Sequence, residues 1–101
     1  MIELLNLKQG QFITHTFIYY ELDDNVISDY EYDRKALELE EAKTSSPEWK
    51  HTKYYEMFRG WTSATGISLV NKGDKGNYAF FMRQAKNFLE AHRDYLDMAG
   101  I

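Results

Sequence analysis

The chain has 101 residues, no cysteine and a formal net charge of −4. This length predicts a single domain over residues 1–101 and excludes most self-sufficient nucleotide-dependent enzymes. The lack of cysteine excludes disulfides, cysteine zinc sites and thiol catalysis. No apolar run approaches the roughly 20 residues that span a bilayer, and no signal segment opens the chain, so we expect a cytoplasmic protein without membrane contact.

The pattern of the first half predicts two helices joined by a tight turn. The first helix runs from Leu7 or Gln11 to about Glu21, before a turn-forming Asp-Asp-Asn cluster. The second begins at Ser28, where a serine followed three residues later by glutamate is typical of a capping box. That helix is expected to end near Thr44.

The second half predicts two further helices and an irregular segment. Ser46, followed by proline, is typical of a helix N-cap, and this helix is expected to end at Gly60. Residues 61–76 break the helical period and predict a short extended or β-hairpin segment. Helical spacing returns over 78–99, with Gly100 to end the last helix.

The predicted fold is mainly α, with a helical hairpin over 1–45 and a helical extension over 46–101. Residues 1–49 contain eleven acidic and four basic residues, whereas residues 50–101 contain five and eight. An acidic first half is a poor surface for phosphates, so direct nucleic-acid binding is not expected. The wide apolar stripe of the last helix predicts a protein partner or a homo-oligomer.

The most informative stretch covers residues 15–33, which combine tyrosines with carboxylates. Three candidates share one face of the second helix at i, i+3, i+4 spacing, and two arrive from the end of the first helix. The candidate contacts are Tyr19, Tyr20, Asp29, Tyr32 and Asp33. Aromatic faces attract a flat cation by about 0.5–2 kcal/mol, and carboxylates accept hydrogen bonds from hydroxyls. The alternative is that the tyrosines pack in the core while the acids are solvated.

This stretch resembles the N-terminal helical subdomain of bacterial NAD-dependent DNA ligases, with the pattern H-x-Y-x-Y-Y-x-L-D-x-P-x-I-S-D-x-E-Y-D. The similarity covers roughly residues 4–45. The pattern is matched without a gap by His15, Tyr19, Tyr20, Leu22, Asp23, Ile27, Ser28, Asp29, Glu31, Tyr32 and Asp33. Two departures occur, since Phe17 stands where tyrosine is usual and Asn25 where proline is usual.

In that family the subdomain recognises the nicotinamide mononucleotide (NMN) half of NAD+. The resemblance implies that the rings of Tyr19, Tyr20 and Tyr32 flank the nicotinamide. It also implies that Asp29 and Asp33 hold the ribose hydroxyls and the positive ring. Without the adenosine pocket of a complete ligase, binding of NMN or NAD is expected to be weak.

Ligase chemistry also needs a K-x-D-G lysine and a nucleotidyltransferase domain. Residues 72–75 give K-x-D without the final glycine, in an apparent turn. We therefore do not expect an enzyme. The three histidines are scattered and no H-E-x-x-H spacing occurs, so no metal is expected either.

Two hypotheses follow. In the first, the chain is a non-catalytic module that binds NMN or NAD weakly or associates with DNA ligase and the replication machinery. In the second, it is a regulatory interaction protein that keeps the ligase-like fold only as a scaffold. A ligase fragment acting in trans is a third reading. The small size and isolated module suggest a phage or prophage source.

Overall fold

The computed structural model describes residues 1–98 as three α-helices and three short 3-10 turns. The helices are α1 (Ile2–Tyr20), α2 (Asp29–Ser45) and α3 (Lys75–Met98), and the 3-10 turns are Trp49–His51, Tyr55–Phe58 and Gly66–Leu69. The prediction of a mainly α fold is confirmed. Within the described range, no helix is long and apolar enough to cross a membrane.

Helix α1 lies at the centre of the fold, because α2, α3 and two of the 3-10 turns pack against it. Its buried residues are Leu5, Gln9, Phe12, Ile13, Thr16, Phe17 and Ile18. The helix begins at Ile2, well before the predicted start, because Leu5 already joins the core in the first turn. Neighbours therefore cover α1 along most of its length.

Helix α2 has the predicted start. The Ser28 hydroxyl accepts a hydrogen bond from the backbone N–H of Glu31 at 3.1 Å. Asp29 and Glu31 lie in the first turn, where the helix dipole favours negative charge. Ala36 and Leu39 are its buried residues. Helix α2 thus packs on α1 through a narrow face and leaves its charged side in solvent.

The continuous helix predicted over 46–60 is wrong, because the chain forms two separate 3-10 turns there. Thr52 lies between them in an extended conformation, with ψ 155. Side chains of α1 hold this break: Gln9 Nε2 donates to Thr52 Oγ1 at 2.9 Å, and Asn6 Oδ1 accepts from Lys53 N–H at 2.7 Å. These partners are 43 and 47 positions apart, so local capping signals could not reveal them.

The extended or β-hairpin segment predicted over 61–76 is also wrong, since residues 1–98 contain no strand. Trp61, Gly66 and Leu69 are buried in this segment. Their spacing lacks the alternation of a half-buried strand. The segment packs on α1 through a 3-10 turn instead.

Helix α3 begins at Lys75, three residues before the predicted start. Asp74 caps it, because its carboxylate accepts a hydrogen bond from Asn77 N–H at 3.3 Å. The buried residues Phe81, Ala85 and Leu89 follow i, i+4, i+8 spacing and face the core. The predicted end, at Ala99 and Gly100, lies outside the described residues.

Two side chains of α2 anchor the irregular segment that follows it. The Lys43 ammonium donates to the carbonyl oxygens of Phe58 and Trp61, each at 2.7 Å. The Glu40 carboxylate accepts from the backbone N–H and the hydroxyl of Ser63, at 3.1 and 2.8 Å. Hydrogen bonds to charged groups are stronger than neutral ones. The loop that carries the buried Trp61 is therefore hydrogen-bonded to α2 both before Trp61, at Phe58, and after it, at Ser63.

Replacing Lys43 by methionine should lower the free energy of unfolding by about 2 kcal/mol, because the carbonyls lose their charged donor while the apolar stem is kept. Urea denaturation followed by circular dichroism measures the change. Lys50 is exposed on the same connecting segment, so Lys50→Met is the matched control and should cost under about 0.5 kcal/mol. Equal losses in the two variants would contradict the anchoring role of Lys43.

Candidate functional site

The turn between α1 and α2 places the end of one helix beside the start of the other. The backbone N–H groups of Glu21 and Leu22 both donate to the carbonyl of Phe17, at 2.9 and 3.2 Å. Asp23 then adopts a left-handed conformation, with φ 49, which aspartate tolerates better than most residues. This reversal brings the candidate residues of both helices to one end of the hairpin.

Tyr19 and Tyr20 stand on the open side of this end, 47% and 39% exposed. Their rings meet edge to face, with 4.9 Å between centroids. Together with Asp23, Asp24 and Asn25 they line an open cleft of about 450 Å³. The C-terminus of α1 adds partial negative charge here, and its last turn contains no basic residue. The cleft therefore combines aromatic faces with negative charge, which suits a cationic ligand.

Tyr32, in contrast, is inserted into the hairpin. Its ring lies 4.7 Å from that of Phe12 and 6.0 Å from that of Tyr19, at angles of 28° and 20°. Since Phe12 and Tyr19 are separated by about 10.5 Å of helical rise, the half-buried Tyr32 ring lies between these two rings. Its hydroxyl lies 2.8 Å from Thr16 Oγ1, and burial raises the pKa of Tyr32 to about 12.

The five predicted residues share one end of the hairpin without sharing one cavity. Tyr19, Asp29 and Tyr32 line a crevice with His15. The crevice holds about 10 Å³, which is room for roughly one water molecule. Asp29 and Asp33 are exposed on α2, and Asp33 lines neither the crevice nor the cleft. Tyr19 is thus common to both cavities: it lines the cleft with Tyr20 and the crevice with Asp29 and Tyr32.

Helix α3 contacts two acidic residues of the turn, Glu21 and Asp24. The Tyr78 hydroxyl donates to the Glu21 carboxylate at 2.7 Å, and this bond raises the pKa of Tyr78. Arg93 pairs with Asp24 at 2.9 Å. The pKa of Asp24 is lowered chiefly because Asn25 N–H donates to its carboxylate, with Arg93 as a further cause. Both contacts fix the turn while the two cleft tyrosines remain exposed.

Sequence reasoning missed the support behind these tyrosines. Gly66 is buried, and a Cβ atom there would lie 2.8 Å from the Tyr32 hydroxyl and 3.6 Å from Tyr20. The absence of a side chain lets the 3-10 turn approach both rings. A glycine within a hydroxyl-rich loop was the available signal, but only the fold shows which rings it meets. Among residues 1–98, no group of histidines and carboxylates is arranged to hold a metal.

Half of the chain is similar to bacterial DNA ligases. Over 50 residues, which is 50% of this chain, it is 40% identical to the DNA ligases of Chlamydia trachomatis serovars L2 and A. The chain spans 8% of the length of those ligases. No family model matches the chain, and no solved structure matches it. A ligase-related segment is therefore supported by sequence, and the assignment of an NMN subdomain stays a prediction.

Gly66→Ala should destabilise the protein by about 1–3 kcal/mol, because the added methyl group overlaps the Tyr32 hydroxyl and forces a shift. Urea denaturation measures the loss. Gly76, in the first turn of α3, is the matched control, because a methyl group added there would meet no atom within 4 Å. Gly76→Ala should be neutral or stabilising by up to about 1 kcal/mol. A neutral Gly66→Ala would show that the contact with Tyr32 is unimportant.

His15 should make the stability depend on pH. Burial, and secondarily the charge of Lys35, lowers the pKa of His15 from 6.5. Because the unfolded chain then binds the proton more readily, stability should be lost as the pH falls through and below about 6.5. Urea midpoints should therefore decline between about pH 8 and pH 5, and His15→Gln should reduce the decline. The control is His51→Gln, which removes an exposed imidazole and should leave the decline of the urea midpoint with pH as in the wild type. If His15→Gln also left that decline unchanged, His15 would not be its cause.

Proposed function

We propose that this chain is a non-catalytic binding module that recognises the NMN half of NAD+ at the end of the α1–α2 hairpin. The observation that carries the proposal is the open cleft of about 450 Å³ in which exposed Tyr19 and Tyr20 stand beside Asp23. Asp24 also lines the cleft and is paired with Arg93. Its volume is within the range of small-molecule sites. The similarity of half the chain to DNA ligases supports the same proposal.

The chemistry of the cleft matches that of a nicotinamide nucleotide. The nicotinamide ring is flat and positively charged, so the faces of Tyr19 and Tyr20 attract it. Asp29 and Asp33 are exposed on α2 and would accept hydrogen bonds from ribose hydroxyls. Tyr32 would act differently from Tyr19 and Tyr20, because its half-buried ring packs against Phe12 and Tyr19. It would position the Tyr19 ring and would not stack on the ligand.

The affinity expected of such a site is low. The proposed contacts reach only one half of NAD+, and the cost of immobilising the ligand is not offset by an adenosine pocket. We propose association with DNA ligase or the replication machinery as the setting in which so weak a site would act.

A second candidate function is a regulatory interaction protein, of phage or prophage origin, that keeps the ligase-like hairpin only as a scaffold. The packing of Tyr32 favours it, because this half-buried tyrosine packs against the core residue Phe12 and against Tyr19. The small crevice lined by Tyr19, Asp29 and Tyr32 points the same way. Under this proposal no nucleotide binds and the function lies on another surface.

A titration with NMN separates the two. In two-dimensional NMR spectra, millimolar NMN should shift the amide signals of residues 19–33, and AMP, which lacks the cationic ring, should shift them less. Tyr19→Ala should weaken NMN binding by about threefold to tenfold, the loss of one aromatic face toward a cation.

Tyr30→Ala is the matched control, because Tyr30 is 74% exposed on α2 and lines neither the cleft nor the crevice. It should leave the NMN response unchanged. If NMN moves none of the signals of residues 19–33 in a folded sample, nucleotide recognition is wrong and the scaffold function remains.

A further inference from the structure

A second and larger concavity lies away from the cleft, between α1 and α3. It has a volume of about 600 Å³ and its lining includes the side chains of Leu7, Phe80, Phe81 and Phe88. The α1 residues that line it run from position 6 to position 15, so the groove is about 13 Å long. Leu7 and Phe88 remain 56% and 45% exposed, which leaves apolar surface in contact with solvent.

The groove contains a single charged lining residue, Lys35 of α2. Lys35 takes part in none of the ion pairs found within residues 1–98. Glu31 and Glu38 of α2 form their ion pairs with Arg34 and Lys8, and the charge of Lys35 acts on both carboxyls only from a greater distance. The Lys35 ammonium group therefore has no direct ion-pair partner within residues 1–98.

A second polar group lies near this lysine. The imidazole of His15 lines the groove, and Lys35 is close enough to contribute to the lowered pKa of His15. His15 Nδ1 is buried without a hydrogen-bond partner among the described residues. Its ring edge meets the Phe88 ring, with 5.3 Å between centroids. The His15 imidazole and the Lys35 ammonium thus lie near one apolar wall of the groove.

The dimensions favour a small molecule over a protein. Fourteen residues line the groove, whereas stable protein interfaces involve about 20–30 residues on each side. Small-molecule sites commonly measure about 300–1,000 Å³ and combine apolar walls with a few polar groups. We propose that the α1–α3 groove binds a small amphipathic anion, with its apolar body against Phe80 and Phe88 and its anionic group toward Lys35.

Two fluorescent probes with nearly the same rings test this site. Anilinonaphthalene sulfonate carries an anionic group, and N-phenylnaphthylamine is its uncharged counterpart. The sulfonate should bind at one site, bind more tightly than the neutral probe, and shift the NMR signals of the groove residues. Lys35→Gln should weaken sulfonate binding by about two- to fivefold and leave the neutral probe unaffected, as expected for a half-exposed ion pair.

Lys86→Gln is the matched control, because it removes the same charge from an exposed position of α3 outside the groove. It should not change the affinity for either probe. Phe88→Ala should weaken both probes, and Phe88 is exposed enough for the fold to tolerate the change. Circular dichroism of each variant establishes that it is folded.

Three results would overturn the proposal. Lys35→Gln and Lys86→Gln could affect the sulfonate equally, or the shifted signals could lie outside the groove. Light scattering could instead show a dimer that Phe88→Ala dissociates, in which case a second copy of the chain occupies the groove. Tyr19→Ala should leave both probes unaffected, so this site and the proposed NMN site fail independently.

Discussion

A continuous series of aromatic contacts runs from the surface of the hairpin through the core, and the rest of the structure is arranged around it. The series is Tyr20, Tyr19, Tyr32, Phe12, Trp61, Phe58 and Trp49. Neighbouring ring centroids are between 4.7 and 6.0 Å apart. Such pairs contribute about 0.5–1.5 kcal/mol each beyond the burial of apolar area. The series connects α1, α2 and the irregular segment, so these three parts of the chain cannot reposition independently.

The irregular segment shows how a small protein can be ordered with little regular secondary structure. Its aromatic residues are part of the core. In a helix, the backbone groups of this segment would bond to one another; here, polar side chains of α1 and α2 bond to several of them instead. The Lys43 ammonium donates to the carbonyl oxygens of Phe58 and Trp61, and the Gln9 amide donates to the Thr52 hydroxyl. The arrangement has a cost, because the indole N–H groups of Trp49 and Trp61 are buried without partners among the described residues. An unpaired buried donor costs about 1–3 kcal/mol, which the surrounding aromatic packing must offset.

The parts of the fold that depend on neighbouring residues could be predicted from the sequence. The start of α2 follows from the Ser28 cap, and the course of α3 follows from its helical spacing. The parts that depend on distant residues could not, and the helix predicted over 46–60 is the clearest case, since Asn6 and Gln9 hold that segment from the far end of the chain. The candidate site divides in the same way. Spacing placed the tyrosines and aspartates at one end of the hairpin, but only packing shows that Tyr32 stacks on Phe12 and that Gly66 lies against its hydroxyl.

The aromatic series also gives the protein an optical property. The chain has two tryptophans, and both are buried members of the series. Tyr19 and Tyr20 form its solvent-exposed end. Intrinsic tryptophan fluorescence therefore reports on the packing of the buried end of the series without any added label.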